Sequence, residues 1–94
     1  MRRRIRRRLQ HTFNDYYFKP RGIPMTALDE VKVTDEELET LRLRFVNDLD
    51  QHTASKQMGI SQSQYQRDFV KAMEKITKAL IEGKAILIER KSKL

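Results

Sequence analysis

The chain has no cysteine, so disulfides and thiolate metal sites are excluded, and its two separate histidines, His11 and His52, do not make a metal site by themselves. No apolar run approaches the roughly 20 residues of a membrane-spanning helix. The basic start runs into Gln10-His11-Thr12 rather than an apolar signal core, so a soluble, cytoplasmic protein with no membrane partner is expected. There is no phosphate-cradling glycine loop, no nucleophile set beside a base and no metal-ligand cluster, and neither an enzyme nor a cofactor is expected. With 94 residues the chain has room for one small domain and a modest core, which a second subunit would enlarge.

Positive charge is present in excess, and its location is informative. The net charge is +7, and residues 1–24 hold eight Lys or Arg against Asp15 alone, which accounts for all of it. Residues 28–50 carry eight acids and three bases, whereas residues 51–94 carry nine bases and four acids, so the body runs from −5 to +5. A phosphate backbone would meet the front and the second half of the chain. Such attraction is independent of sequence and fades steeply with salt.

The basic front is Arg2, Arg3, Arg4, Arg6, Arg7 and Arg8, interrupted by Ile5. Self-repulsion favours an extended arm that crosses phosphates or lies in a minor groove. The rival reading is a strand that buries Ile5 and Leu9 with its arginines outward. Phe13, Tyr16, Tyr17 and Phe18 follow, and most are assigned to the core, although they could stack on bases. Lys19-Pro20-Arg21-Gly22-Ile23-Pro24 then dictates an irregular connection. The domain expectation is therefore an arm and connection over 1–24 and a folded unit over 25–94.

Val31-Lys32-Val33 alternates like a short strand, and Thr34-Asp35-Glu36-Glu37 supplies a capping box. A first helix is predicted over about 35–47, with Leu38, Leu41, Phe45, the stem of Arg42 and Leu49 inward. Asp35, Glu36, Glu37 and Glu39 read as charges at the helix start, not as acid-base machinery. Further helices are predicted over about 51–58 and 62–82, the last ended by Gly83. Ala85 to Glu89 forms a second strand, pairing with 31–33 or with its copy in another subunit.

The most informative stretch is the corner between the second and third helices. Gly59 permits a positive φ, Ile60 can plug the interhelical core and Ser61 can cap the next helix. Ala54 and Ser55 supply small side chains where a second helix crosses closely. These five residues are the structural turn of a helix-turn-helix. Beyond it Tyr65, Phe69, Ala72, Ile76 and Leu80 share one stripe, which leaves Gln62, Ser63, Gln64, Gln66 and Arg67 outward. Glutamine can bond adenine in two places and arginine can grip guanine, so these five are the candidate base readers, led by Gln62 and Arg67. An ordinary solvated polar face is the competing reading. Lys56, Lys71 and Lys75 are candidates for the phosphates, beside the arginine arm.

From Phe18 onward the chain resembles a family of small prokaryotic proteins, domain of unknown function 134. The resemblance rests on Phe18-Lys19-Pro20 with Gly22-Ile23-Pro24, Leu28-Asp29-Glu30-Val31, Asp35-Glu36 with Glu39, and Leu41-Arg42-Leu43. It continues through Met58-Gly59-Ile60-Ser61, Gln66-Arg67, and Ala79-Leu80 with Gly83-Lys84-Ala85. The resemblance implies a sigma-factor region-four-like helix-turn-helix, DNA binding and transcriptional regulation. This chain departs from the family at Gln62, Gln64 and Tyr65, where arginine and a Thr-Phe pair are usual. It departs again at Met73 and Glu74, which replace arginines, and in lacking the N-terminal cysteine of many relatives.

The expected fold is mainly α: a three-helix helix-turn-helix domain with short flanking β-strands and an extended basic N-terminal arm. The expected function is sequence-specific binding of double-stranded DNA as a transcriptional regulator, with a homodimer reading two half-sites. Two alternatives stay open: a protein-interaction module docking on transcription machinery through the acidic 28–50 face, and RNA binding through the arm and aromatics.

Overall fold

Helix boundaries fall where the sequence supplies caps, and the strands close around them. In the computed structural model, which describes residues 16–90, the order is strand β1 Tyr16–Phe18, a 3-10 turn Met25–Ala27 and strand β2 Glu30–Thr34. Helix α1 Asp35–Leu41 follows and continues as a π-helical turn Arg42–Val46, then helix α2 Gln51–Met58, helix α3 Gln62–Glu82 and strand β3 Ala85–Glu89. The candidate arm residues Arg2, Arg3, Arg4, Arg6, Arg7 and Arg8, together with Ile5, Leu9 and Phe13, lie outside the described residues.

The expected capping box is present: Glu37 N–H donates to Thr34 Oγ1 at 3.1 Å, and Thr34 N–H donates to Glu37 Oε1 at 3.1 Å. Two N–H groups that a helix start leaves unpaired are thereby satisfied. The helix does not stay α to its end. From Arg42 the bonds widen, with Asn47 N–H donating to Arg42 O at 3.0 Å and Leu49 N–H to Leu43 O at 3.0 Å. Asp48 ends the segment at a φ of 57°. The inner face runs through Asp35, Glu39, Thr40 and Leu43, a phase already set before the π turn, so Leu43 is buried while Phe45, expected inward, is 57% exposed.

The sheet has the order β1-β3-β2, with β3 antiparallel to β1 and parallel to β2. A parallel pair needs a long crossover, and here the three helices supply it. The expected partner of 85–89 within the chain is thus the observed one, but β1 was not expected. Tyr17 and Phe18, expected in the core, are exposed on this third strand, which forms an edge of the sheet.

The register places Val31 opposite Ile86 and Val33 opposite Ile88. These side chains pack with Ala79, Ile76 and Leu38 into one core. Ala79, not Leu80, ends the inner stripe of α3, because a small side chain lets the helix lie close to the sheet; Leu80 points to solvent. A second core joins Leu43, Ala54, Met58 and Tyr65, with Leu49, Ile60 and Phe69 around it. Burying these side chains is worth about 1.5–3 kcal/mol for each large one.

Three acidic side chains of α1, Asp35, Glu37 and Glu39, are buried rather than displayed at the surface. Glu39 accepts from Arg42 Nε at 2.8 Å and from its Nη2 at 3.0 Å, and this pairing holds the Arg42 guanidinium above its ordinary pKa. Glu37 accepts from Lys75 Nζ at 2.9 and 3.1 Å, and the same ammonium donates to Lys32 O at 2.9 Å. Lys75 and Glu37 together therefore occupy a carbonyl and an N–H of β2, which protects that edge strand from further pairing.

Candidate nucleic-acid interface

The site is assembled by the corner between α2 and α3. Asp50 begins α2, its Oδ1 accepting from Thr53 N–H at 2.7 Å; that hydrogen bond holds the Asp50 carboxyl below its ordinary pKa. Ala54 and Ser55 are buried in the corner, and Ser55 Oγ turns inward to donate to His52 O at 2.9 Å. The small-residue requirement read from the sequence is therefore met by packing.

Gly59 adopts φ 71°, ψ 31° and ends α2 with a pair of reverse bonds. Gly59 N–H donates to Lys56 O and Ile60 N–H to Ser55 O, both at 3.1 Å. These are the two bonds of a Schellman motif, which needs a left-handed residue between them. Ile60 is half-buried beneath the turn. Ser61 restarts the helix, its Oγ accepting from Gln64 N–H at 3.0 Å. All five residues assigned to the structural turn thus have a local role.

Past Ser61, the side chains of Gln62, Ser63, Gln66 and Arg67 are exposed, and Gln64 is half-buried. They are not equally available. Gln62 Nε2 donates to His52 Nδ1 at 2.9 Å, a link between the helices that the sequence did not reveal because the two residues lie ten apart on different elements. Gln64 is used at both ends of its amide: it accepts from Arg67 Nη2 at 2.8 Å and donates to Asp68 Oδ1 at 2.8 Å. Ser63 and Gln66 make no side-chain hydrogen bond among the described residues.

The candidate phosphate contacts divide. Lys56 and Lys71 are exposed on α2 and α3. Lys75 faces β2 and Glu37 instead, so its ammonium is engaged within the fold. Arg44, not among these candidates, has its guanidinium 5.8 Å from the centre of the Phe45 ring, and its charge acts on both Asp50 and Tyr65. Phe45 in turn stands 5.8 Å from Phe69, which stacks at 6.0 Å on Tyr65. Phe45 lies off its expected inward phase because the buried face of this helix is set by Asp35, Glu39, Thr40 and Leu43, three of them polar, and no apolar pattern in the sequence marks that face.

Among the described residues no cluster of His, Asp and Glu could hold a metal ion, and no helix is long and apolar enough to cross a membrane. No solved structure matches the chain. A UPF0251 protein of Desulforudis audaxviator is 44% identical over 73 residues, covering 78% of this chain and 48% of the relative. Two UPF0251 proteins of Methanosarcina acetivorans are 43% and 44% identical, covering 88% and 95% of this chain and 74% and 54% of themselves. The chain thus spans about half to three quarters of the length of these relatives. Residues 1–92 match the family described as "Protein of unknown function DUF134", and with those relatives this match makes the chain a member of the DUF134, or UPF0251, family of prokaryotic proteins.

Proposed function

We propose that the protein binds double-stranded DNA sequence-specifically and regulates transcription, with α2, the Gly59 turn and α3 acting as a helix-turn-helix of the sigma-factor region-four type. The first turns of α3 enter the major groove, where Gln62, Ser63, Gln66 and Arg67 meet base edges. Lys56, Lys71 and the arginines of residues 2–8 meet phosphates or the minor groove. One observation carries the reading: the left-handed Gly59 and the Ser61 cap restart a helix whose first exposed side chains are polar, amide-rich and near a cation. The network of Gln62 with His52 and of Arg67 with Gln64 supports it further, because pre-set side chains lose less freedom on binding.

Docking through an acidic face is less well supported, since Asp35, Glu37 and Glu39 are buried and two of them are ion-paired inside the chain. The test is selection of bound duplexes from a random pool, followed by fluorescence anisotropy at two salt concentrations. Gln62→Ala and Arg67→Ala are each expected to lose about tenfold or more in preference for the selected duplex. Unchanged preference in both variants, or tighter binding to RNA of the same sequence, overturns the proposal.

A further inference from the structure

The inner stripe of α3 leaves a second apolar stripe uncovered. Val70, Met73 and Leu80, with Thr77 between them, recur at spacings of three, four and three, and Ile81 lies beside them. All are exposed, Leu80 to 71% and Ile81 to 80%. Spacing of that kind is the mark of a helix face that packs against something. Nothing within the described residues covers it.

Charges beside the stripe say what does. On one flank α3 carries Lys71, Glu74, Lys78 and Glu82. When two identical helices pack antiparallel about a two-fold axis, each flank meets the same flank of its partner, so a self-complementary flank must carry opposite charges at equal distances from the centre. Glu74 and Lys78 stand two residues either side of Ile76, and Lys71 and Glu82 are symmetric to within half a residue of the same point. Met73 and Leu80 obey the same symmetry. Glu74 and Lys78 take part in no ion pair among the described residues, while Glu82 lies 3.0 Å from Lys84. A parallel pair would lose this matching.

We infer that α3 is a homodimer interface, in which the Val70, Met73, Thr77, Leu80 and Ile81 face packs antiparallel on its copy, centred near Ile76 and Thr77, with Glu74 of each subunit against Lys78 of the other. The inference does not depend on DNA binding.

The test is sedimentation equilibrium of the full chain at micromolar concentrations, with circular dichroism as a check on folding. Wild type is expected at twice the 11.2 kDa chain mass. Ile81→Glu, at a site exposed in the subunit, is expected to raise the dimer dissociation constant about tenfold or more. Glu74→Lys and Lys78→Glu are each expected to weaken it about two- to fivefold, and the double swap to restore it. A monomer at every concentration, as when another segment of the chain covers the stripe, overturns the inference. So does a dimer indifferent to Ile81→Glu, and a double swap no better than its singles overturns the antiparallel pairing.

Discussion

The phenol of Tyr65, on the first turn of α3, donates to the carbonyl of Thr40, in the last turn of α1, across 2.6 Å of buried space. This bond spans twenty-five residues and fixes the orientation of the α3 tip relative to the rest of the fold. Burial pushes the Tyr65 phenol up to about 12 from an ordinary value near 10. The neutral, donating form is the one that the fold holds.

Tyr65→Phe is expected to lower stability by about 1 kcal/mol, the net value of a buried hydrogen bond, in urea denaturation at neutral pH. Alkaline titration provides a second reading. A phenol whose folded pKa lies above its unfolded value contributes stability that is complete below about pH 10 and is lost as pH rises towards about 12. Wild type should therefore lose stability across that window, and the Phe variant should lose less of it. Parallel curves would show that Tyr65 is not the titrating group.

Gly59 is expected to tolerate little. An alanine at φ 71° meets the Cβ penalty of the left-handed region, so Gly59→Ala should cost about 1 kcal/mol in thermal or urea unfolding. Gly59→Asn should cost less, because asparagine enters that region more readily. Equal losses for the two would mean that space around the turn, rather than backbone conformation, selects glycine.

The features legible in the sequence are those decided within a few residues. Thr34, Ser61, Gly59 and Gly83 begin or end helices through bonds to backbone three to five positions away, so their chemistry announces them. The α2 and α3 ranges follow from these caps. β1 was not legible because Tyr16–Phe18 becomes a strand only by pairing with Ile86, Leu87 and Ile88, far along the chain. The burial of Glu37 and Glu39 was hidden too: Lys75 reaches Glu37 across thirty-eight residues, and although Arg42 is an ordinary i+3 helix neighbour of Glu39, an acid on the inner face breaks the apolar pattern by which that face is read. At the candidate interface the same division holds: the turn and the polar tip were readable, whereas the His52 link to Gln62 was not.

Two of the three lysines of α3, Lys71 and Lys75, should separate cleanly. Lys75→Met leaves the buried Glu37 without its cation, and Lys75 is itself partly exposed, so a loss of about 1 kcal/mol in stability is expected. Its effect on duplex affinity should stay within about twofold once the folded fraction is accounted for. Lys71→Ala should behave oppositely, with unchanged stability, weaker binding to all duplexes alike and a salt dependence reduced by about one unit of slope for each subunit bound. Reversal of that pattern would remove Lys71 from the DNA-facing surface.

The spacing of the DNA site links the two proposals. In an antiparallel α3 pair centred near Ile76 and Thr77, Gln64 of each subunit lies twelve to thirteen residues from the centre along a 21-residue helix. At a rise of about 1.5 Å per residue, the two tips stand about 37 Å apart. One turn of B-DNA separates successive major-groove faces by about 34–36 Å. Selection with wild-type protein is therefore expected to return an inverted repeat whose half-site centres are about 10–10.5 base pairs apart. Selection with Ile81→Glu should return one half-site, bound more weakly. An inverted repeat at a different spacing would contradict the α3 pairing while leaving the base readers in place. Absence of any enriched motif would remove the DNA reading, and the sedimentation result would stand on its own.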